Sequence, residues 1–239
     1  MKKILHRADS RGVAEHGWLH SYHTFSFAGY YHPERMHFGA LRVLNDDRVQ
    51  GGKGFGQHPH QNMEIISIPL SGALAHRDNM GNVQVIHEQD VQIMSAGTGV
   101  FHSEYNDHAD QEVNFLQIWI LPEKLNIRPR YEQRTFSVKE RLNVWQTVVS
   151  PQRGEGVWIN QQAWFCLADL EQDHRLPYTP HATGQGLYLF VLEGEVSVAG
   201  ETLSARDGLG VWELNELTLN ALSDAKVLMI EVPMQFETP

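Results

Sequence analysis

The sequence predicts an all-β chain built as two tandem barrels with few short helices, and three observations carry that expectation. Glycine (20 residues) and proline (10) recur at short intervals along the 239-residue chain. The segments between them are short, apolar and rich in β-branched or aromatic residues. No window of about 11 residues or more has the helical spacing of apolar positions.

The elements follow in order. Ile65-Ile66-Ser67-Ile68-Pro69-Leu70 reads as a strand ended by Ser71-Gly72, and Val83-Gln84-Val85-Ile86 follows the turn signal Asn79-Met80-Gly81-Asn82. Residues 114–121 form another strand, stopped by Pro122. The second half repeats the style over 158–170, 187–192, 195–198, 210–212 and 227–232. Residues 138–144 are the one stretch suited to a short helix. Two blocks echo each other: Leu70-Ser71-Gly72 precedes a strand entered at Asp90, and Leu192-Glu193-Gly194 precedes one entered at Asp207. That echo predicts two barrel modules, with domains over 1–132 and 153–239 and a linker over 133–152.

Composition narrows the function. The chain has 19 Lys+Arg against 29 Asp+Glu, a formal net charge of −10, so it carries no general attraction for phosphate backbones and nucleic acid is not expected as a partner. Cys166 is the single cysteine, which rules out an intramolecular disulfide and an all-thiolate zinc site. No apolar run approaches the roughly 18 residues that cross a bilayer, and the Lys2-Lys3 start lacks a signal-peptide core. A cytoplasmic protein without a membrane partner is expected.

The histidines are unevenly placed: 12 of 14 lie at or before His108. His58-Pro59-His60 follows the glycine-rich stretch Gly52-Lys53-Gly54-Phe55-Gly56, and on a strand His58, His60 and Glu64 share one parity. About forty residues on, His102 and Glu104 share parity after Gly97-Thr98-Gly99. Three imidazoles and a carboxylate, arriving as pairs on two strands, are a ligand set for a borderline divalent ion. Parity alone leaves open whether Glu64 or Glu104 is the carboxylate ligand. The other early histidines (His6, His16, His20, His23, His32, His37, His76, His87 and His108) receive no role from spacing.

Gly52, His58-Pro59-His60, Glu64 and Gly72 resemble the first cupin motif, with one extra residue before the last glycine. Gly97-Thr98-Gly99-Val100-Phe101-His102 with Asn106 resembles the second, with Gly97 where proline is usual. His23-Thr24-Phe25-Ser26-Phe27, Leu41-Arg42-Val43-Leu44-Asn45-Asp46-Asp47, Gly54-Phe55-Gly56-Gln57-His58-Pro59-His60, Met94-Ser95-Ala96-Gly97-Thr98-Gly99 and His102-Ser103-Glu104-Tyr105-Asn106 resemble the pirin family, in its bacterial quercetinase-like branch. The resemblance is dense over 7–132 and looser beyond.

The resemblance implies a bicupin of two jelly-roll barrels, the first holding one divalent transition metal on His58, His60, His102 and Glu104. Glu64 then becomes a neighbour that orients a ligand imidazole. Iron is the first expectation for the metal, with nickel, copper, cobalt, manganese and zinc as alternatives. The implied activity is a quercetin 2,3-dioxygenase-like reaction on a flavonol or similar enolisable aromatic and dioxygen, with Glu104 as general base and Phe55, Phe101 and Trp119 as pocket walls. The competing expectation is a non-catalytic, metal- or redox-sensing regulator that binds another protein. In the second barrel no pair follows His181, so no metal set is expected there.

Overall fold

The computed structural model describes residues 1–236. In chain order its strands are β1 (Lys2–His6), β2 (Gly12–Glu15), β3 (Leu19–His23), β4 (Leu41–Val49), β5 (Gly54–His60), β6 (Glu64–Ser71), β7 (Ala73–Asp78), β8 (Val83–His87), β9 (Asp90–Ser95), β10 (Val100–Asn106), β11 (Val113–Ile120) and β12 (Arg130–Thr135). They continue as β13 (Gln146–Ser150), β14 (Val157–Trp158), β15 (Trp164–Leu170), β16 (Arg175–Tyr178), β17 (Gln185–Glu193), β18 (Glu195–Val198), β19 (Glu201–Ser204), β20 (Gly208–Trp212), β21 (Leu217–Ala221) and β22 (Ala225–Pro233). The helical content described is two single 3-10 turns, Ala8–Ser10 and Val138–Glu140, and no helix is long and apolar enough to cross a membrane.

Each half pairs a seven-stranded sheet with a four-stranded one. The first half has β12-β9-β6-β11-β4-β3-β2 and β5-β10-β7-β8; the second has β1-β20-β17-β22-β15-β13-β14 and β16-β21-β18-β19. The strand orders correspond, with β9-β6-β11-β4 matching β20-β17-β22-β15. Leu19, Val49, Val113 and Phe115 of the first large sheet share a buried cluster with Leu74 and Ile86 of its small sheet, which makes the interior of the first barrel. Leu189, Val211, Val227 and Met229 pack likewise on Val196, Leu203 and Leu219.

The two large sheets also pack on each other. Ile66, Ile68, Leu116 and Ile118 lie in one buried cluster with Phe165, Leu167, Phe190 and Leu228. Burying each such side chain is worth about 1.5–3 kcal/mol. Strands β6, β11, β17 and β22 are therefore covered on both faces, which explains why they read as continuous apolar runs rather than alternating ones. The echoed glycines are equivalent: Gly72 joins β6 to β7 and Gly194 joins β17 to β18, each at φ +77. A Cβ on Gly194 would collide with the Asp224 carbonyl oxygen, so both conformation and space call for glycine.

The structure departs from the sequence expectations in three places. The helix expected over 138–144 is only the Val138–Glu140 turn, because Asn143 takes φ 58 and Leu142 bridges to Asp169. The strand expected over 158–170 is broken, since the intervening loop is tied to the first barrel: Asn160 Nδ2 donates to the Lys124 carbonyl and Gln161 Nε2 to that of Leu121. The division into 1–132, 133–152 and 153–239 is not followed either. Strand β1 pairs with β20 from Lys2↔Trp212 to His6↔Gly208, covering a second-barrel edge as β12 covers β9 in the first. Strand β13, inside the expected linker, pairs with β15.

Candidate metal centre

Strands β5 and β10 run antiparallel with His58 opposite His102 and His60 opposite Val100, and a bulge follows His102, so that Glu104 faces Phe55. Along β10 burial alternates, with Val100, His102, Glu104 and Asn106 turned inward and Phe101 outward. The rings of His58, His60 and His102 converge, with centroids 4.4 Å apart for His58–His102, 4.8 Å for His58–His60 and 4.9 Å for His60–His102. One donor atom from each lies within 4.8 Å of the others.

The hydrogen bonding leaves these rings ready for an electrophile. His58 Nδ1 donates to the Gly56 carbonyl at 2.7 Å, which orients the ring and leaves Nε2 as the nitrogen available to a metal. Both nitrogens of His102 are buried without a partner, an arrangement that costs free energy unless something binds them. Burial, reinforced by the neighbouring imidazoles and opposed by Asp78, lowers the His102 pKa to about 3. Burial, with His102 and His58 adding to it and Glu104 opposing, lowers that of His60 to about 4. Neutral imidazole is the metal-binding form. The donor set therefore fits a divalent transition ion.

Glu104 is buried beside His102. Its Oε1 accepts from Ser67 Oγ at 3.1 Å and its Oε2 from Gln117 Nε2 at 2.8 Å, so the carboxylate is held by two side chains from the facing sheet. Its ligand-capable oxygens group most closely with His102 and His76. His76, on β7, stands opposite Glu104 in the β7–β10 register and is fully buried. Spacing did not single it out. The signal was present in His76-Arg77-Asp78, a same-parity His and Asp just before a turn, but nothing in the chain places β7 beside β10. Ser67 and Gln117 were missed for the same reason.

The other expected site residues are distributed differently. Trp119 meets His60 edge-on, with centroids 4.9 Å apart, and meets Phe27, another missed residue, at 5.3 Å. Phe55 packs with Trp18 against the barrel core below the histidines. Phe101 is 48% exposed on the outer face of β10, because alternation turns it away from His102; it is not a wall of this site. Glu64 begins β6 in the large sheet, after the chain reverses at Asn62 (φ 49), so parity counted from His60 does not survive the turn. Its Oε2 accepts from Ser95 Oγ at 2.8 Å and from the Asn160 amide at 3.2 Å, so it braces the second-barrel loop rather than orienting an imidazole. Burial, partly offset by those two bonds, raises its pKa to about 7.

In the second barrel, the inward positions of β21 are Leu217, Leu219 and Ala221. His181 instead bonds the buried Glu231 carboxylate through Nδ1 at 2.8 Å, as does the Tyr178 hydroxyl at 2.8 Å. Among the described residues, the groups of three metal-capable side chains all lie in the first barrel.

Comparison with known proteins gives a consistent picture. The pirin family profile matches residues 6–120, and that of the quercetinase C-terminal cupin domain matches 147–232. The chain is 42% identical to quercetin 2,3-dioxygenase of Escherichia coli (strain K12), over 96% of this chain and 98% of that protein. It is 38% identical to a pirin-like protein of Caulobacter vibrioides, over 93% and 96%. Its structure superposes on YhhW from Escherichia coli with a TM-score of 0.93 at 40% identity, covering 99% of this chain and 100% of that one. The nickel(II) complex of bacterial pirin YhhW matches with a TM-score of 0.92 at 41% identity, covering 97% and 99%. With two cupin barrels, a histidine-rich centre in the first and relatives matched end to end, the chain belongs to the pirin family, in its bacterial quercetinase-like branch.

Proposed function

We propose that this protein is a metal-dependent dioxygenase that opens the ring of a flavonol or similar enolisable aromatic, in the manner of a quercetin 2,3-dioxygenase, and that it acts in the cytoplasm. The observation that carries this reading is the convergence of His58, His60 and His102 beside a buried carboxylate, with the pKa values of His60 and His102 lowered by burial. His58, His60, His102 and Glu104 are the proposed ligands, and iron the proposed native ion, with nickel, copper, cobalt, manganese and zinc suited to the same donors. A divalent transition ion held there supplies Lewis acidity toward a substrate hydroxyl and a meeting point for dioxygen.

The chain's own groups do the rest. His58 and His60 are only half-buried, so the centre opens to solvent on the side from which a planar substrate would enter. Trp119 and Phe27 offer flat apolar surface beside His60. Glu104, held by Ser67 and Gln117, is the base that takes the substrate's hydroxyl proton at a carboxylate oxygen. The test is loss of flavonol absorbance with carbon monoxide release by metal-loaded protein. His60→Ala should abolish both, and turnover unchanged by that substitution would contradict the proposal.

A second reading, a metal- or redox-sensing regulator, draws support from β10 itself. Phe101 and Tyr105 are exposed on its outer face, between the inward His102, Glu104 and Asn106. Such aromatics suit a protein partner. Partner binding that changes with metal loading and is lost in Phe101→Ser supports this role; binding indifferent to metal counts against it.

A further inference from the structure

The second barrel keeps an open cavity at the end where the first gathers its histidines. Strand β21 pairs with β18 from Val196↔Ala221 to Val198↔Leu219, as β10 pairs with β7 through Leu74↔Asn106 and His76↔Glu104, so Leu217 occupies the place of His102. Tyr178, opposite Leu217, then occupies the place of His58. The connection that follows differs. Residues 61–63 turn directly from β5 into β6, whereas 179–184 make a longer loop from β16 into β17. That loop, the 213–215 segment and the chain after β22 border a cavity of about 790 Å³, within the roughly 300–1,000 Å³ of small-molecule sites.

The walls are fixed before anything binds, which lowers the ordering cost of a ligand. His181 anchors the loop from the side away from the cavity: its amide donates to Glu231 Oε1 at 2.8 Å, its Nδ1 lies 2.8 Å from Oε2, and its ring stacks on Trp164 with centroids 4.2 Å apart. The Met234 amide ties the far end of the loop by donating to the Gly184 carbonyl at 3.0 Å. Trp212, braced edge-on by Phe38 with centroids 5.9 Å apart, supplies flat apolar surface to the lining. Thr179, Thr183 and Asn215 supply exposed hydroxyl and amide groups. Buried Gln185 donates through Nε2 to the Gln162 carbonyl at 3.2 Å, and its Oε1 has no partner among the described residues, a cost that a hydroxyl donor would remove. The two charged lining residues, Lys2 and Glu213, pair with each other at 2.6 Å, so no charge is left over for an ionic ligand. We propose that this cavity is a second ligand site, independent of the metal, for a neutral hydroxylated ring compound that lays its flat face on Trp212 and its hydroxyls toward the threonines, Gln185 and Asn215. Phenolic and sugar rings share that chemistry.

The site stands apart from the metal centre and does not depend on dioxygenase turnover. Quercetin 3-O-glucoside is the probe, because it carries both a phenolic and a sugar ring and its blocked 3-hydroxyl has no proton to give up to a metal. Calorimetric titration into chelator-treated protein is expected to show one equivalent bound. Quercetin 3-methyl ether and methyl β-glucoside, each titrated alone and in competition with the glucoside, identify which ring the cavity takes. Thr183→Trp and Asn215→Trp fill the cavity from two walls at exposed positions, so the unfolding midpoint should hold while glucoside binding weakens by about tenfold or more, equivalent to about 1.4 kcal/mol. Should one variant not fold, the other makes the same comparison. The site is overturned if none of the three compounds binds, or if the glucoside binds the folded filled variants as tightly as the native protein.

Discussion

His58 and His102 face each other across the β5–β10 ladder with ring centroids 4.4 Å apart, the closest approach among the three convergent imidazoles. One ring is oriented by a backbone carbonyl and the other is left without a hydrogen bond. Metal binding should therefore stabilise the fold measurably. At free metal about 100-fold above Kd the gain is about 2.7 kcal/mol, or about 5–10 °C in unfolding midpoint for a chain of this size. Thermal unfolding with metal and with chelator checks this, and His102→Ala should remove the difference.

Gln117 holds one Glu104 oxygen at 2.8 Å from the facing sheet. Gln117→Leu should leave the barrel folded while metal affinity falls about 10- to 100-fold, because the carboxylate loses its orientation. Competition against a chromogenic chelator measures the change.

Trp119 and Phe101 should separate cleanly. Trp119→Ala removes a wall beside His60 and is expected to raise KM for quercetin by about tenfold, the scale of one aromatic contact. Phe101→Ser, on the outer face, should leave KM unchanged and stability within about 0.5 kcal/mol.

These contrasts also mark what the chain discloses about itself. The strands were legible because doubly covered β6 and β11 carry unbroken apolar runs and glycine punctuates their ends. The pairs His58/His60 and His102/Glu104 were legible because each lies within one strand, where alternation carries orientation. Parity failed at Glu64, where Asn62 reverses the chain, and Phe101 lost its place as a wall to the same alternation that turns His102 inward. His76, Ser67 and Gln117 reach the site only through pairing between strands distant in sequence, and β1 crosses to the second barrel, relations that local pattern does not encode.

That crossing predicts a strong truncation effect. Deleting residues 1–6 uncovers the edge of β20 and removes partly buried Ile4 and Leu5, which pack against the two cores. The cost should be about 3 kcal/mol or more, read as a lowered urea midpoint.

Glu64 gives a pH signature. Its carboxyl is raised to about 7 in the folded chain, so the folded state holds the proton more tightly than the unfolded one. Its contribution to stability is full below about 4.3, the ordinary glutamate value, and is lost as pH rises through about 7. Glu64→Gln keeps the shape without the charge. Its stability relative to the native sequence should improve steadily between those limits in urea unfolding; a pH-independent difference would contradict the assignment.

An anomalous difference map from crystals of metal-loaded protein, recorded at the metal's absorption edge, shows directly whether the first barrel holds the ion. A peak is expected between β5 and β10, at about 2.0–2.1 Å from nitrogens of His58, His60 and His102. A map with no peak there, or with its strongest peak in the second barrel, would contradict it.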